Sequence, residues 1–169
     1  LAAVGGIRAI EIYNYGCARE NDKGHALAYW DDLLARGLSV LGVASDDAHW
    51  RDHDFAGGWV MARAADRSPR AVLHALRGGD FYSTSGPELS AIESDGRRLR
   101  VRTSSASSVY WIGPGRLGWS RHAAPGETLT EVEFQLKGSP DWVRVEVCDP
   151  SGRWAWSNPF PAGSGEVLS

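Results

Sequence analysis

Hydrophobic and polar positions follow two different rhythms along this chain, and the change falls near Gly86-Pro87. Before that point strand-like and helix-like stretches alternate. Ile7 to Tyr13 mixes β-branched and aromatic residues with polar ones and predicts a strand ending in the polar turn Asn14-Tyr15-Gly16. From His25 to Arg36, Ala26, Tyr29, Trp30, Leu33 and Leu34 recur at helical spacing, and Gly37 is well placed as the residue after the helix. The apolar run Leu38 to Ala44 reads as a buried strand, and Gly58 to Ala64 as another. Ser68-Pro69 opens a helix, with Ser as N-cap and Pro in the first helical position. That helix carries Val72, Leu73 and Leu76 on one side and stops at Gly78-Gly79, before a last short strand at Phe81-Tyr82-Ser83.

Beyond Pro87 the helical period disappears. Leu89 to Glu93, Leu99 to Thr103, Val109 to Ile112, Val132 to Leu136, Val143 to Val147 and Arg153 to Trp156 are short strand candidates bounded by Gly, Pro, Asp or Ser. Asp95-Gly96 and Asp149-Pro150-Ser151-Gly152 fit hairpin turns. The expected fold is therefore α/β followed by all-β. A partial βα domain spans residues 1–86, a small antiparallel β-sandwich 87–160, and a loose polar tail 161–169. A parallel sheet has to be buried on both faces, and three or four βα strands cannot achieve that or close a barrel. The expectation is a carboxyl-terminal part of a larger α/β protein, its amino-terminal half supplied by the same gene or by another chain.

Composition narrows the options. With 169 residues, 43% apolar and 23% charged, the chain is globular. A net charge of −3 with Lys and Arg scattered provides no electrostatic footprint for nucleic acid. The expected ligand is a small phosphorylated or anionic substrate. Cys17 and Cys148 have neither CxxC nor Cys/His zinc spacing and read as two reduced thiols. No apolar run reaches the roughly 18 residues of a membrane helix, and no signal-peptide pattern is present. The expected location is the cytoplasm, with no membrane partner.

Candidate chemistry concentrates just after the Leu38–Ala44 run. Residues 46 to 54 read Asp-Asp-Ala-His-Trp-Arg-Asp-His-Asp, four carboxylates and two imidazoles in nine positions. If the strand continued, Asp47 and His49 would point to the same side, at the end where open α/β sheets and barrels place their chemistry. Oxygen and imidazole ligands suit zinc, manganese or iron. The competing reading is an acidic surface loop. Asp46 would face away and serve as support or as the cap of a following turn. Asn14 at a strand end could reach substrate or a metal-bound water, or simply form a turn, and His53 could touch a phosphate or sit exposed. Glu20 and His25 belong to a polar loop and helix start, and His74 reads as solvated between Arg70 and Arg77. Ser83, Thr84 and Ser85 read equally well as a phosphate-holding stretch and as a link between domains. Trp111, Trp119, Trp142, Trp154 and Trp156 all lie in the β half. Core packing is their default role, and exposed aromatic platforms binding sugars or peptide edges are the alternative.

Several blocks also carry a family likeness. Ile10-Glu11-Ile12-Tyr13-Asn14, Tyr29-Trp30-Asp31-Asp32-Leu33-Leu34, Gly42-Val43-Ala44-Ser45-Asp46-Asp47-Ala48-His49, Gly58-Trp59-Val60-Met61 and Gly79-Asp80-Phe81-Tyr82-Ser83-Thr84-Ser85-Gly86-Pro87 occur in that order. They resemble the second half of PHP-domain metal-dependent hydrolases, in the branch often labelled CehA/McbA-like. The closing Trp154-Ala155-Trp156-Ser157-Asn158-Pro159-Phe160 is similar to the end of the β domain that follows there. The resemblance covers residues 7 to 160. It implies a distorted, TIM-like barrel of seven strands holding two or three divalent metals (Zn, Mn or Fe) and hydrolysing phosphoesters with a metal-activated water. It places the family's last motif, Asp-x-His, on Asp47 and His49, each serving a different metal. The amino-terminal His-x-His, further His residues and bridging Glu of the family are not recognisable here. The alternative expectation is therefore a non-catalytic remnant or a β-sandwich binding module for carbohydrate or protein.

Overall fold

A computed structural model of the chain describes residues 5–50, 53–115 and 117–168. The protein is mostly β, with three helices. Strand β1 (Ala9–Asn14) leads directly into α1 (Tyr15–Asn21), then α2 (Leu27–Ala35) and β2 (Leu41–Ser45), which lies parallel to β1. This is the one parallel pair among the described residues. The sequence expectation of a polar turn after β1 is corrected: Asn14 instead caps α1, its Oδ1 accepting from the Cys17 N–H at 2.8 Å. A side-chain acceptor at that position satisfies a helix N–H that has no carbonyl partner.

The next two strands do not extend a parallel sheet. β3 (Trp59–Ala62) and β4 (Phe81–Thr84) are antiparallel to each other although α3 (Pro69–Gly78) connects them. β4 then pairs with β11 (Trp154–Ser157). One mixed-connectivity sheet therefore runs β3-β4-β11-β10-β7-β8 across the Gly86-Pro87 link, with β7 (Ser108–Ile112), β8 (Gly118–His122), β10 (Trp142–Cys148) and, off its end, β12 (Phe160–Pro161). The second sheet is β13-β5-β6-β9, formed by β5 (Leu89–Ser94), β6 (Arg98–Ala106), β9 (Leu129–Gln135) and β13 (Gly165–Leu168). The loose tail expected after residue 160 is a second correction, because β13 covers the edge of β5. An uncovered β5 would present a row of unpaired backbone groups.

Strand alternation explains the layers. Val143, Val145 and Val147 of β10, with Val109, Trp111 and Ala155, face Ile92, Leu99, Val101, Val132 and Phe134 of the other sheet in one buried cluster. The opposite face of β10 and β11 presents Trp142, Arg144, Glu146, Trp154 and Trp156. Against that face sit β1, β2 and α2, through Ile12, Trp30, Leu33, Leu34 and Val40. Of the five tryptophans of the β half, Trp111 and Trp156 are core residues and Trp142 and Trp154 are partly buried, while Trp119 is exposed.

Two details anchor the outer layer. Trp30 is fully buried, donates its Nε1–H to the Val40 carbonyl at 2.8 Å, and lies so close to β2 that a Cβ at Gly42 would come within 2.9 Å of its ring. Arg144, 1% exposed, donates Nη2–H to Asp31 Oδ1 at 2.6 Å and Nη1–H to Glu146, with its guanidinium carbon 4.7 Å from the Trp30 ring centroid. The Ser83-Thr84-Ser85 stretch is sheet structure: Ser83 donates to Gly42 O, Thr84 to Pro87 O and Ser85 to Trp154 O. Among the described residues no helix is long and apolar enough to cross a membrane.

Candidate functional site

The carboxyl ends of β1 and β2 meet at a small polar cluster. In the β1–β2 register Glu11 lies beside Val43 and Tyr13 beside Ala44, so Ile12 is an extra residue, a bulge in β1. Residues three apart in a regular strand face opposite sides. The bulge reverses that parity, and Glu11 and Asn14 meet: Asn14 Nδ2 donates to Glu11 Oε2 at 3.1 Å and to Asp47 Oδ2 at 3.3 Å. The other Glu11 oxygen accepts from the Ser45 hydroxyl. Asn14 is nearly buried, and both ends of its amide are committed, one to α1 and one to the two carboxylates.

Past Ser45 the backbone leaves the strand. Asp47, Trp50, His53 and Ala56 all have positive φ, between 53° and 60°. Non-glycine residues adopt that region sparingly, and each such residue stores strain that surrounding structure must hold. Strand alternation therefore stops before Asp47, and the argument that Asp47 and His49 share a side as i and i+2 of a strand is corrected. What holds the loop is Asp46. Its Oδ1 accepts from the N–H groups of Gly57 and Gly58 at 2.8 and 2.7 Å, and its Oδ2 from Ala56 at 2.7 Å. Three backbone donors on one carboxylate pin the returning end of the loop against the start. Gly57 is required there, because a Cβ would fall 2.3 Å from the Tyr15 ring. Tyr13, packed below, has its phenol pKa raised by burial first, then by the nearby Tyr15 and the negative charge of Asp46.

The expected site residues are distributed as follows. Asn14 and Asp47 are in direct contact. Asp47 and His49 are both exposed, and His49 is held through its backbone N–H, which donates to Asp54 Oδ2 at 2.6 Å. His53 is exposed, with its ring 6.4 Å from that of Phe55, which also lies 5.7 Å from Trp50. Among the described residues no hydrogen bond joins either imidazole to Glu11, Asn14 or Asp47. Asp54 Oδ1 is buried with no hydrogen-bond partner among the described residues. Glu20 is exposed on α1, His25 forms a bridge to Tyr13, and His74 is exposed on α3.

Sequence reasoning missed Glu11, Ser45 and Asp54. Asp54 was visible as one of the four carboxylates of the loop. Glu11 was not, because only the bulge brings it to Asn14. The chemistry of the donor set, carboxylates of Asp47 and Asp54 with the imidazole of His49, suits a divalent ion. Yet among the described residues no three His, Cys, Asp or Glu side chains come together closely enough to hold one. These residues do not complete a metal site by themselves. No family model, no curated protein and no solved structure matches the chain.

Proposed function

We propose that the chain is part of a metal-dependent hydrolase acting on phosphoesters, in which Asp47 and His49 each lend a ligand to a metal centre completed by residues outside this chain. One observation carries the reading: Asn14, from the end of β1, reaches across to Asp47, after the end of β2. The carboxylate-rich loop is thereby fixed at the carboxyl ends of the parallel pair, the end where α/β proteins bind ligands. The run of positive-φ residues supports it, since strain of this kind clusters at functional sites. So does the Asp54 oxygen that is buried without a hydrogen-bond partner among the described residues, an acceptor that a cation would satisfy. The membership in a PHP-type barrel, suggested by the ordered blocks, belongs to the same proposal, with β1 and β2 as the surviving neighbours of that barrel.

In this reading Glu11 and Asn14 are positioning residues that orient Asp47, and Asp46 holds the loop shut from behind. A bound divalent ion would supply Lewis-acid and water-activating chemistry. His53, exposed on the same loop, is the residue available to a substrate phosphate. The free thiols of Cys17 and Cys148 fit a reducing compartment such as the cytoplasm.

The test is metal content together with hydrolysis of a generic phosphodiester, measured on the protein expressed from its full reading frame. Asp47→Ala and His49→Ala are expected to lose bound metal and activity together, and Asn14→Ala to weaken metal affinity by about 10- to 100-fold, the usual cost of removing a group that orients a ligand. Unchanged metal stoichiometry and rate in both Asp47→Ala and His49→Ala would overturn the proposal. A binding role for the β-sandwich is favoured by a separate observation, the exposure of Trp119 at its edge.

A further inference from the structure

The two sheets part company along one side of the sandwich. β8 ends the larger sheet and β9 ends the smaller one. Trp111 on β7 and Trp119 on β8 are direct cross-strand partners, so both project from the face that carries the sandwich core. Their fates differ. Trp111 is 2% exposed and Trp119, on the edge strand β8, 58% exposed. The result is a cleft of about 630 Å³ between β8 and β9, walled by the two indoles, Leu117 and Phe134. That volume lies within the range of small-ligand sites.

Two features point to what would fill it. The exposed Trp119 ring is an aromatic platform whose negative π face favours C–H groups. Two cations rim the cleft, with Lys137 Nζ 5.1 Å from the Trp119 ring centroid and Arg121 Cζ 6.0 Å from that of Phe134. Neither has a carboxylate within ion-pair distance among the described residues. A purely apolar occupant would bury the two cations without partners. A ligand that fits has a flat array of C–H groups, oxygen acceptors and a negative charge.

We propose that this cleft binds an acidic saccharide, a pyranose bearing a carboxylate. The sugar's C–H face stacks on Trp119, and the carboxylate lies between Lys137 and Arg121. Glu133 also borders the cleft, with its carboxylate paired to Arg100. This site opens on the face of the larger sheet opposite the one that α2 covers and does not depend on the metal-loop proposal.

Titration calorimetry of the full chain with a galacturonate trisaccharide, with a neutral glucose trisaccharide as comparison, tests the assignment. The acidic sugar is expected to bind and the neutral one to bind at least about tenfold more weakly. Trp119→Ala is expected to weaken the acidic sugar at least about tenfold, the scale of a lost stacking platform. Lys137→Ala is expected to remove most of the preference for acid over neutral sugar and to flatten the dependence on salt. Trp119 is exposed, so its replacement leaves the thermal midpoint close to wild type, which separates lost binding from lost folding. Absence of galacturonate binding at millimolar concentration, equal affinity for the two sugars, or a Trp119→Ala variant that binds like wild type would each overturn the proposal.

Discussion

At the scale of single residues, the loop after β2 is held by one carboxylate, that of Asp46. Asp46 accepts three backbone N–H groups, and its removal leaves Ala56, Gly57 and Gly58 without that acceptor. Asp46→Ala is expected to destabilise the protein by about 1.5–3 kcal/mol, the range for hydrogen bonds to a charged group. It should also open residues 47–56 to limited proteolysis, with urea midpoints giving the first quantity and cleavage mapping the second. A variant with wild-type midpoint and cleavage pattern would remove Asp46 from this role. Strand alternation suggested support or the cap of a following turn for Asp46, while its partners, ten to twelve residues further on, were not legible. The Glu11–Asn14 contact was not legible. A strict strand period separates those two side chains, and the bulge at Ile12 has no residue signature of its own.

At the scale of elements, the turns were the most readable features because their side chains make local bonds. Ser68 caps α3 by accepting from Ala71 N at 3.2 Å, and Gly79 ends that helix at a φ of 82°. The β10–β11 turn is organised in the same way by Asp149, whose Oδ1 accepts from Ser151 N and Arg153 N while Oδ2 pairs with the Arg153 side chain. Burial alone would raise the Asp149 pKa. The Arg153 and Ser151 hydrogen bonds and the guanidinium charge together outweigh it and hold the carboxyl below its ordinary value. A depressed native pKa stabilises the fold above the unfolded-state value and is lost as pH falls through the native one. Wild type should therefore lose stability on acidification below about pH 4, and Asp149→Asn should lose less over the same interval. Thermal midpoints between neutral pH and pH 3 compare the two; parallel curves would show that Asp149 does not contribute. The directions of β3 and β4 were harder to read. A helix between two strands suggests a parallel crossover, but β3 and β4 pair antiparallel across α3. Their true partners lie far along the sequence.

At the scale of the molecule, a buried cation ties the outer α/β layer to the sandwich. Arg144 reaches Asp31 on α2 and Glu146 on its own strand while stacking over Trp30. Arg144→Ala leaves Glu146 enclosed without its counter-charge and is expected to cost about 3–5 kcal/mol in denaturant unfolding. Arg144→Met with Glu146→Leu should recover most of that loss, since removing both charges removes the desolvation cost. No recovery in the double variant would mean that the pair does more than offset its own burial. Pattern reading divided the chain at Gly86-Pro87 into a βα part and a β-sandwich; the buried apolar side chains form two clusters, each of which draws on both parts. It could not see that β10 and β11 serve both, because Trp142, Trp154 and Trp156 reveal only a period of two and not what lies above them.

The pairing of β4 with β11 also sets an order of events during synthesis. Thr84 and Trp154 are 70 positions apart, so at ribosomal speeds of about 5–20 residues per second β4 waits roughly 4 to 14 seconds for its neighbour. During that interval the nascent β3–β4 pair exposes an adhesive border, which makes elongation rate and chaperone supply determinants of how much native protein a cell recovers.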